Sequence, residues 1–265
     1  MNCNSIKEGY VSKHAIFLMA LMVISFCCVI LMNKPLFALS LEVNPARASR
    51  NVNGKIRIHI NLKGAVNLLS CGVTVTYDPL KLGADEANTS KNEDIWVMEG
   101  DSVSYTDPAV EFDHTNGKIK IKGGRLTGFT GDTRIGSVTF NCLTRTTDTT
   151  PAVVNIELNP APYDDFVDAD GTVLDSTITT PLPSCVICIV DPGAGDPQAC
   201  ETDANGDGLI TNLEKVKVIQ AFNHDDPDPA YNPAVDCNGD GRITNLEKIM
   251  TIQDFNRQDC PKCWE

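Results

Sequence analysis

One segment occurs twice in this chain, and it constrains the fold more tightly than any other feature. Residues 203–223 read DANGDGLITNLEKVKVIQAFN and residues 236–256 read DCNGDGRITNLEKIMTIQDFN, identical at 15 of 21 aligned positions. Copies this similar must share one local structure. Each fits the pattern D-x-[DN]-x-[DN]-G-x5-E, in which alternate residues of a twelve-residue loop turn oxygen atoms toward one centre and the glycine permits a sharp turn.

The ligand set follows position by position. Asp203, Asn205 and Asp207 supply side-chain oxygens, Gly208 makes the turn, Leu209 offers its carbonyl, Thr211 contributes directly or through water, and Glu214 closes the shell. Asp236, Asn238, Asp240, Gly241, Arg242 (carbonyl), Thr244 and Glu247 repeat this in the second loop. An all-oxygen, flexible shell with three carboxylates per loop suits calcium better than magnesium, so two calcium ions are expected as cofactors. Thr211-x-x-Glu214 and Thr244-x-x-Glu247 also read as capping boxes, although ligation is expected to take precedence for the glutamates. After each loop, Leu213, Val216, Ile219 and Phe222, and then Leu246, Ile249, Ile252 and Phe255, recur at helical spacing, which predicts two helices packed on each other.

The preceding region is different in kind. Between Leu39 and Val190 short period-two segments recur, as in Lys55-Ile-Arg-Ile-His-Ile-Asn61, Gly72–Tyr77, Lys118–Lys122 and Val138–Cys142. Asn53-Gly54, Asp78-Pro79, Asn116-Gly117, Gly123-Gly124 and Asp170-Gly171 separate them as turn signals. This pattern predicts a mainly β protein with an antiparallel jelly-roll β-sandwich over 39–190, a Pro/Gly linker over 191–199 and a small α-helical duplicated EF-hand-like module over 200–265. Residues 1–38, with Lys7, Lys13 and His14 before an apolar run from Ile16 to Met32, read as a signal peptide or an N-terminal membrane anchor, so the chain is expected to be secreted or at the cell surface.

A net charge of −13 leaves no basic face for nucleic acid. Eight cysteines follow the targeting segment, and export points to disulfides whose pairing the sequence leaves open, with a four-thiolate zinc site at Cys185, Cys188, Cys260 and Cys263 as the minor alternative. His59 and His114 have no nucleophile, base or metal-ligand spacing around them and read as solvated strand residues, so no catalytic residue is assigned and the chain is not expected to be an enzyme.

Pro192, Gly193, Gly195 and Pro197 precede the first loop, and Pro227, Pro229 and Pro233 the second, so neither has room for an incoming helix. A duplicated loop-plus-exiting-helix unit over about 200–258 resembles a dockerin, the calcium-dependent docking module of cellulosome-type assemblies. It departs from that family in carrying Glu at the last loop position, where dockerins usually have Asp. With that match in hand, Val73–Pro79, Thr127–Gly131 leading into Ile135–Phe140, and Asp170–Val173 make the N-terminal region resemble a cohesin, the receptor fold for dockerins. The resemblance implies a non-catalytic protein–protein assembly role. It makes Asn212, Leu213, Lys215, Gln220, Asn245, Leu246, Lys248 and Gln253 the candidate partner contacts, and one chain bearing both modules permits self-association. The alternative is a carbohydrate-binding surface protein associated with polysaccharide degradation, with Trp96, Tyr77, Tyr105 and Tyr163 as aromatic candidates.

Overall fold

The computed structural model describes residues 39–91, 95–96, 110–147, 150–158, 165–196 and 198–263; residues 1–38, with the expected targeting segment, and Tyr105 and Tyr163 lie outside them. Among the described residues, ten strands precede two α-helices. They are β1 (Ser40–Asn44), β2 (Arg47–Asn51), β3 (Lys55–Thr76), β4 (Leu82–Ala84), β5 (Ser90–Lys91), β6 (Val110–Asp113), β7 (Lys118–Cys142), β8 (Ala152–Glu157), β9 (Val167–Asp168) and β10 (Ser184–Val190), then α1 (Asn212–Ala221) and α2 (Asn245–Gln253).

The fold is mainly β, as expected, and its strands are joined in one hydrogen-bonded network. The cause is the length of β3 and β7, which pair antiparallel from Lys55↔Asn141 to Thr76↔Lys118 with register shifts between Ile60 and Ser70. Each shift leaves unpaired backbone and bends the ribbon. The first half of β3 can therefore pair β1, as at Val43↔Ile60, while its second half pairs β8, as at Val75↔Ile156. The main path runs β2-β10-β8-β3-β7-β4. One pair departs from the antiparallel expectation: β10 lies parallel to β2, with Cys188 opposite Ser49.

Alternation fills the core. Ile56, Ile58, Ile60 and Leu62 of β3 meet Val138 and Phe140 of β7 and Ile187 and Ile189 of β10 in a single apolar cluster. Tyr77 and Trp96 also belong to it, with Trp96 fully buried, so neither is a surface platform for a sugar ring. Trp96 explains a second departure. Gly123-Gly124 is not a turn but lies inside β7, where a side chain at Gly123 would meet Trp96 Cβ at 2.4 Å.

Replacing Gly123 by Val should therefore expel Trp96 from its seat, at a cost of ~2 kcal/mol typical of overpacking. Urea unfolding should show the loss, and tryptophan emission should shift to the red; an unchanged midpoint would mean that the packing of Trp96 on Gly123 contributes nothing.

Candidate metal centre

The two acidic loops are wound on their first residue. Asp203 Oδ1 accepts from Gly206 N–H at 3.0 Å and Oδ2 from Gly208 N–H at 2.8 Å; Asp236 does the same with Gly239 and Gly241 at 2.8 and 2.9 Å. Gly206, Gly208, Gly239 and Gly241 all have φ between 64° and 83°, a region that favours glycine. Asn205 Oδ1 accepts from Asp207 N–H at 3.1 Å, and Asp207 Oδ1 from Leu209 N–H at 2.8 Å. Asn238, Asp240 and Arg242 repeat this at 3.1 and 2.9 Å.

Each loop runs directly into a capped helix. Thr211 Oγ1 accepts from Leu213 N–H, while Glu214 Oε2 accepts from both Thr211 N–H and its hydroxyl at 2.8 Å. Thr244 and Glu247 form the same box, at 2.6 and 2.9 Å. Capping uses Oε2 alone, so it would not compete with an ion held by Oε1.

Glu214 is fully buried, and its Oε1 has no hydrogen-bond partner. A buried carboxylate oxygen without a partner is costly, and a hard cation would satisfy it. Burial also raises Asp203, with the neighbouring Asp207 and Glu214 charges adding to the effect, and burial raises Asp236. The donors therefore fit an oxygen-seeking divalent ion in type. Among the described residues no three His, Cys, Asp or Glu side chains form a ready-made ligand cluster. Asp207 and Asp240 instead take the side-chain amides of Asn205 and Asn238, each at 2.8 Å.

Reciprocal contacts relate the copies. Asn223 N–H donates to Ile243 O at 2.8 Å and Asn256 N–H to Ile210 O at 2.9 Å; Ile243 N–H and Ile210 N–H return bonds to His224 O and Arg257 O, each at 3.2 Å. Lys215 Nζ stands 3.0 Å over the Phe255 ring, and Lys248 Nζ 3.5 Å over Phe222. Of the eight candidate partner contacts, Lys215 and Lys248 thus already have an internal partner and are half-buried, while Asn212, Leu213, Gln220, Asn245, Leu246 and Gln253 are exposed.

The apolar stripes do not join the helices. Leu213, Val216 and Ile219 on α1, and Leu246, Ile249 and Ile252 on α2, are 42–66% exposed. The inward faces instead carry Glu214, Val218 and Ala221 on α1 and Glu247 and Thr251 on α2. A carboxylate held inward by its capping threonine fixes the helix rotation, and a residue one position away then faces out.

The loops are seated on the sheet by buried charge. Arg50, 1% exposed, donates to Lys55 O, to Glu201 O at 3.0 Å and to Asp236 O at 3.2 Å. Asp226 accepts from Arg57 Nε at 2.9 Å and Nη2 at 2.5 Å, from Ser137 Oγ at 3.2 Å, and from Arg134. His59 Nε2 lies 3.5 Å from the same carboxylate and its ring 5.3 Å from Tyr231. His59 is therefore buried, against the expectation of a solvated strand residue; His114 is exposed beside Glu86 at 2.6 Å. The outward face of β3 is covered by the segment around Asp226, which its alternation alone could not reveal.

Disulfides Cys188–Cys263 and Cys200–Cys260 fasten the C-terminus, and Cys71, Cys142, Cys185 and Cys237 are buried thiols. Cys188 and Cys260 are thus taken by different partners, which removes the four-thiolate zinc alternative.

No protein-family model matches the chain, and no curated protein matches it. Solved cohesin structures do align. A type III cohesin module from a cell-surface anchoring scaffoldin of Ruminococcus flavefaciens aligns at TM-score 0.45 and 15% identity over 59% of this chain and 92% of its own. The sixth cohesin of Acetivibrio cellulolyticus scaffoldin B, solved with a dockerin, gives 0.43 and 18% over 58% and 99%. A non-cellulosomal cohesin from Archaeoglobus fulgidus gives 0.39 and 13% over 59% and 94%. At that distance the likeness assigns neither family nor function.

Asp226, Arg57, Arg134 and Arg50 carry the seam, and no motif announces them. The available signal was three cations and a histidine at outward positions of β2, β3 and β7 in a chain of strongly negative net charge.

Burial alone would raise Asp226, but the His59 hydrogen bond and the Arg134 and Arg57 charges more than offset it and hold the carboxyl well below the usual range. His59 itself is lowered from 6.5 to about 4 by burial, so at neutral pH it is uncharged and the two guanidiniums supply the field. Both shifts work in one direction. The His59 contribution is complete above pH 6.5 and is lost as pH falls toward about 4; that of Asp226 is present above ~4 and is lost as pH falls further. Melting temperature should therefore drop in two stages on acidification, and Asp226→Asn should cost on the order of 3–5 kcal/mol at pH 7 and remove the lower stage. A flat profile from pH 7 to pH 3 would exclude this seam as a stabilising contact.

Proposed function

We propose that this chain is an exported, non-catalytic, calcium-binding interaction protein of cohesin/dockerin type, whose docking surface is the outward face of α1 and α2. The observation that carries the reading is the pair of exposed apolar stripes, Leu213-Val216-Ile219 and Leu246-Ile249-Ile252, displayed by helices that turn glutamates inward. Six large apolar side chains at matching positions of a repeat form the kind of surface that marks a binding site in a soluble protein. Calcium belongs to the same reading, because each loop ends in the threonine and glutamate that start its helix and set its rotation. Two disulfides accord with an oxidising compartment. The polysaccharide alternative loses support, since Trp96 and Tyr77 are core residues.

The test is capture on immobilised cohesin modules, with calcium and with chelator. The wild type should be retained only with calcium. Because the stripes are equivalent, Val216→Asp or Ile249→Asp alone should weaken retention modestly, and the two together should abolish it. Retention that ignores calcium, or that survives the double variant, would refute the assignment of this face.

A further inference from the structure

The two loops repeat each other in backbone but not in what surrounds their ligand oxygens. In the first, Glu214 Oε2 takes the Thr211 N–H and hydroxyl, and Oε1 is buried without a hydrogen-bond partner. In the second, Glu247 is equally buried, but its Oε1 lies 3.2 Å from Cys237 Sγ, whose one S–H is shared between that oxygen and Met250 Sδ at 3.0 Å. The first carboxylate of each loop differs in the same sense. Asp203 is held by the N–H groups of Gly206 and Gly208, whereas Asp236 Oδ2 accepts from the Tyr231 hydroxyl at 2.5 Å in addition to Gly241 N–H. Two sequence differences account for this. Ala204 occupies the place of Cys237, and Gln198 stands where an offset of 33 would put Tyr231.

We infer that the loops are unequal calcium sites: loop 203–214 takes the ion first and more tightly, and loop 236–247 is a weaker site governed by Cys237 and Tyr231. This rests on the calcium reading and adds an order of filling to it. An ion entering the first loop meets a carboxylate oxygen whose burial is otherwise uncompensated. One entering the second must compete with an S–H and an O–H for the electron density of the oxygens it needs, a cost the first loop does not incur. Flanking charge points the same way. Arg47 and Lys262 lie against the glycines of the first loop and Lys55 and Arg57 against those of the second, and Arg50, which donates to Asp236 O, adds a further cation at the second.

The experiment is calorimetric titration of calcium into the chelator-treated, disulfide-intact full chain. The wild type should show two steps at least about tenfold apart in affinity. Glu214→Gln should delete the tight step and Glu247→Gln the weak one. Exchange variants give the sharper reading without touching a ligand: Cys237→Ala and Tyr231→Phe should each tighten the weak step by about fivefold, and Ala204→Cys should loosen the tight one by a similar factor. Two indistinguishable steps, or loss of the tight step in Glu247→Gln, would overturn the inequality and leave calcium binding intact. Absence of any calcium uptake by the wild type would overturn the calcium reading itself and the filling order with it.

Discussion

A carboxylate buried between two guanidinium groups is stable only while all three stay together, because any one left alone is an unpaired charge out of water. The seam between the sheet and the acidic loops is built on that condition. Asp226 holds Arg57 and Arg134 on neighbouring strands, and Arg50, entirely enclosed, reaches main-chain carbonyls at Glu201 and Asp236. Loop and sheet are consequently one packing problem. The glycines of both loops approach the strands so closely that a side chain at Gly206 would meet Arg47 at 2.6 Å and one at Gly239 would meet Lys55 at 2.9 Å. The turn that winds each loop therefore also brings it against the sheet.

Local regularities were legible in the sequence and long-range ones were not. The repeat located both loops and helices, because a glycine at a fixed turn and a threonine three residues before a glutamate act within a few residues of each other. Period-two alternation found the inward isoleucines of β3 for the same reason. It failed at the other face. Arg57 and His59 look solvated in a half-buried strand, and only a segment some 170 residues later buries them. Gly123-Gly124 was misleading because a glycine pair marks either a turn or a close approach, and the sequence around it does not say that Trp96 arrives there. The joining of the strands through β3 and β7 was not legible, because no local signal distinguishes two short strands from one long, bulged strand.

The helices carry a related lesson. An apolar stripe at helical spacing is normally the buried face, and hydrophobic periodicity alone would turn α1 and α2 inward along Leu213-Val216-Ile219 and Leu246-Ile249-Ile252. Here the capping glutamates decide otherwise. Glu214 and Glu247 are tied to the threonines that start each helix, and those threonines are tied to the loops, so the glutamate face is inside before packing is considered. Small or polar neighbours such as Ala221 and Thr251 then suffice to fill the interior, and the large aliphatic residues remain outside.

Symmetry is thus kept on one side of the helical pair and broken on the other. Outward, the two stripes and the reciprocal Lys215–Phe255 and Lys248–Phe222 contacts are equivalent. Inward, only the second copy has Tyr231 and Cys237 at its carboxylates and Arg57 beside its glycine. A partner that touched the two stripes alone would meet nearly the same ground in either of two orientations. One that also reached the strands beneath would not, because the sheet lies differently against each copy. Any preference between orientations would therefore arise where Lys217 on one helix gives way to Met250 on the other, or where a partner passes beyond the helices to the seam.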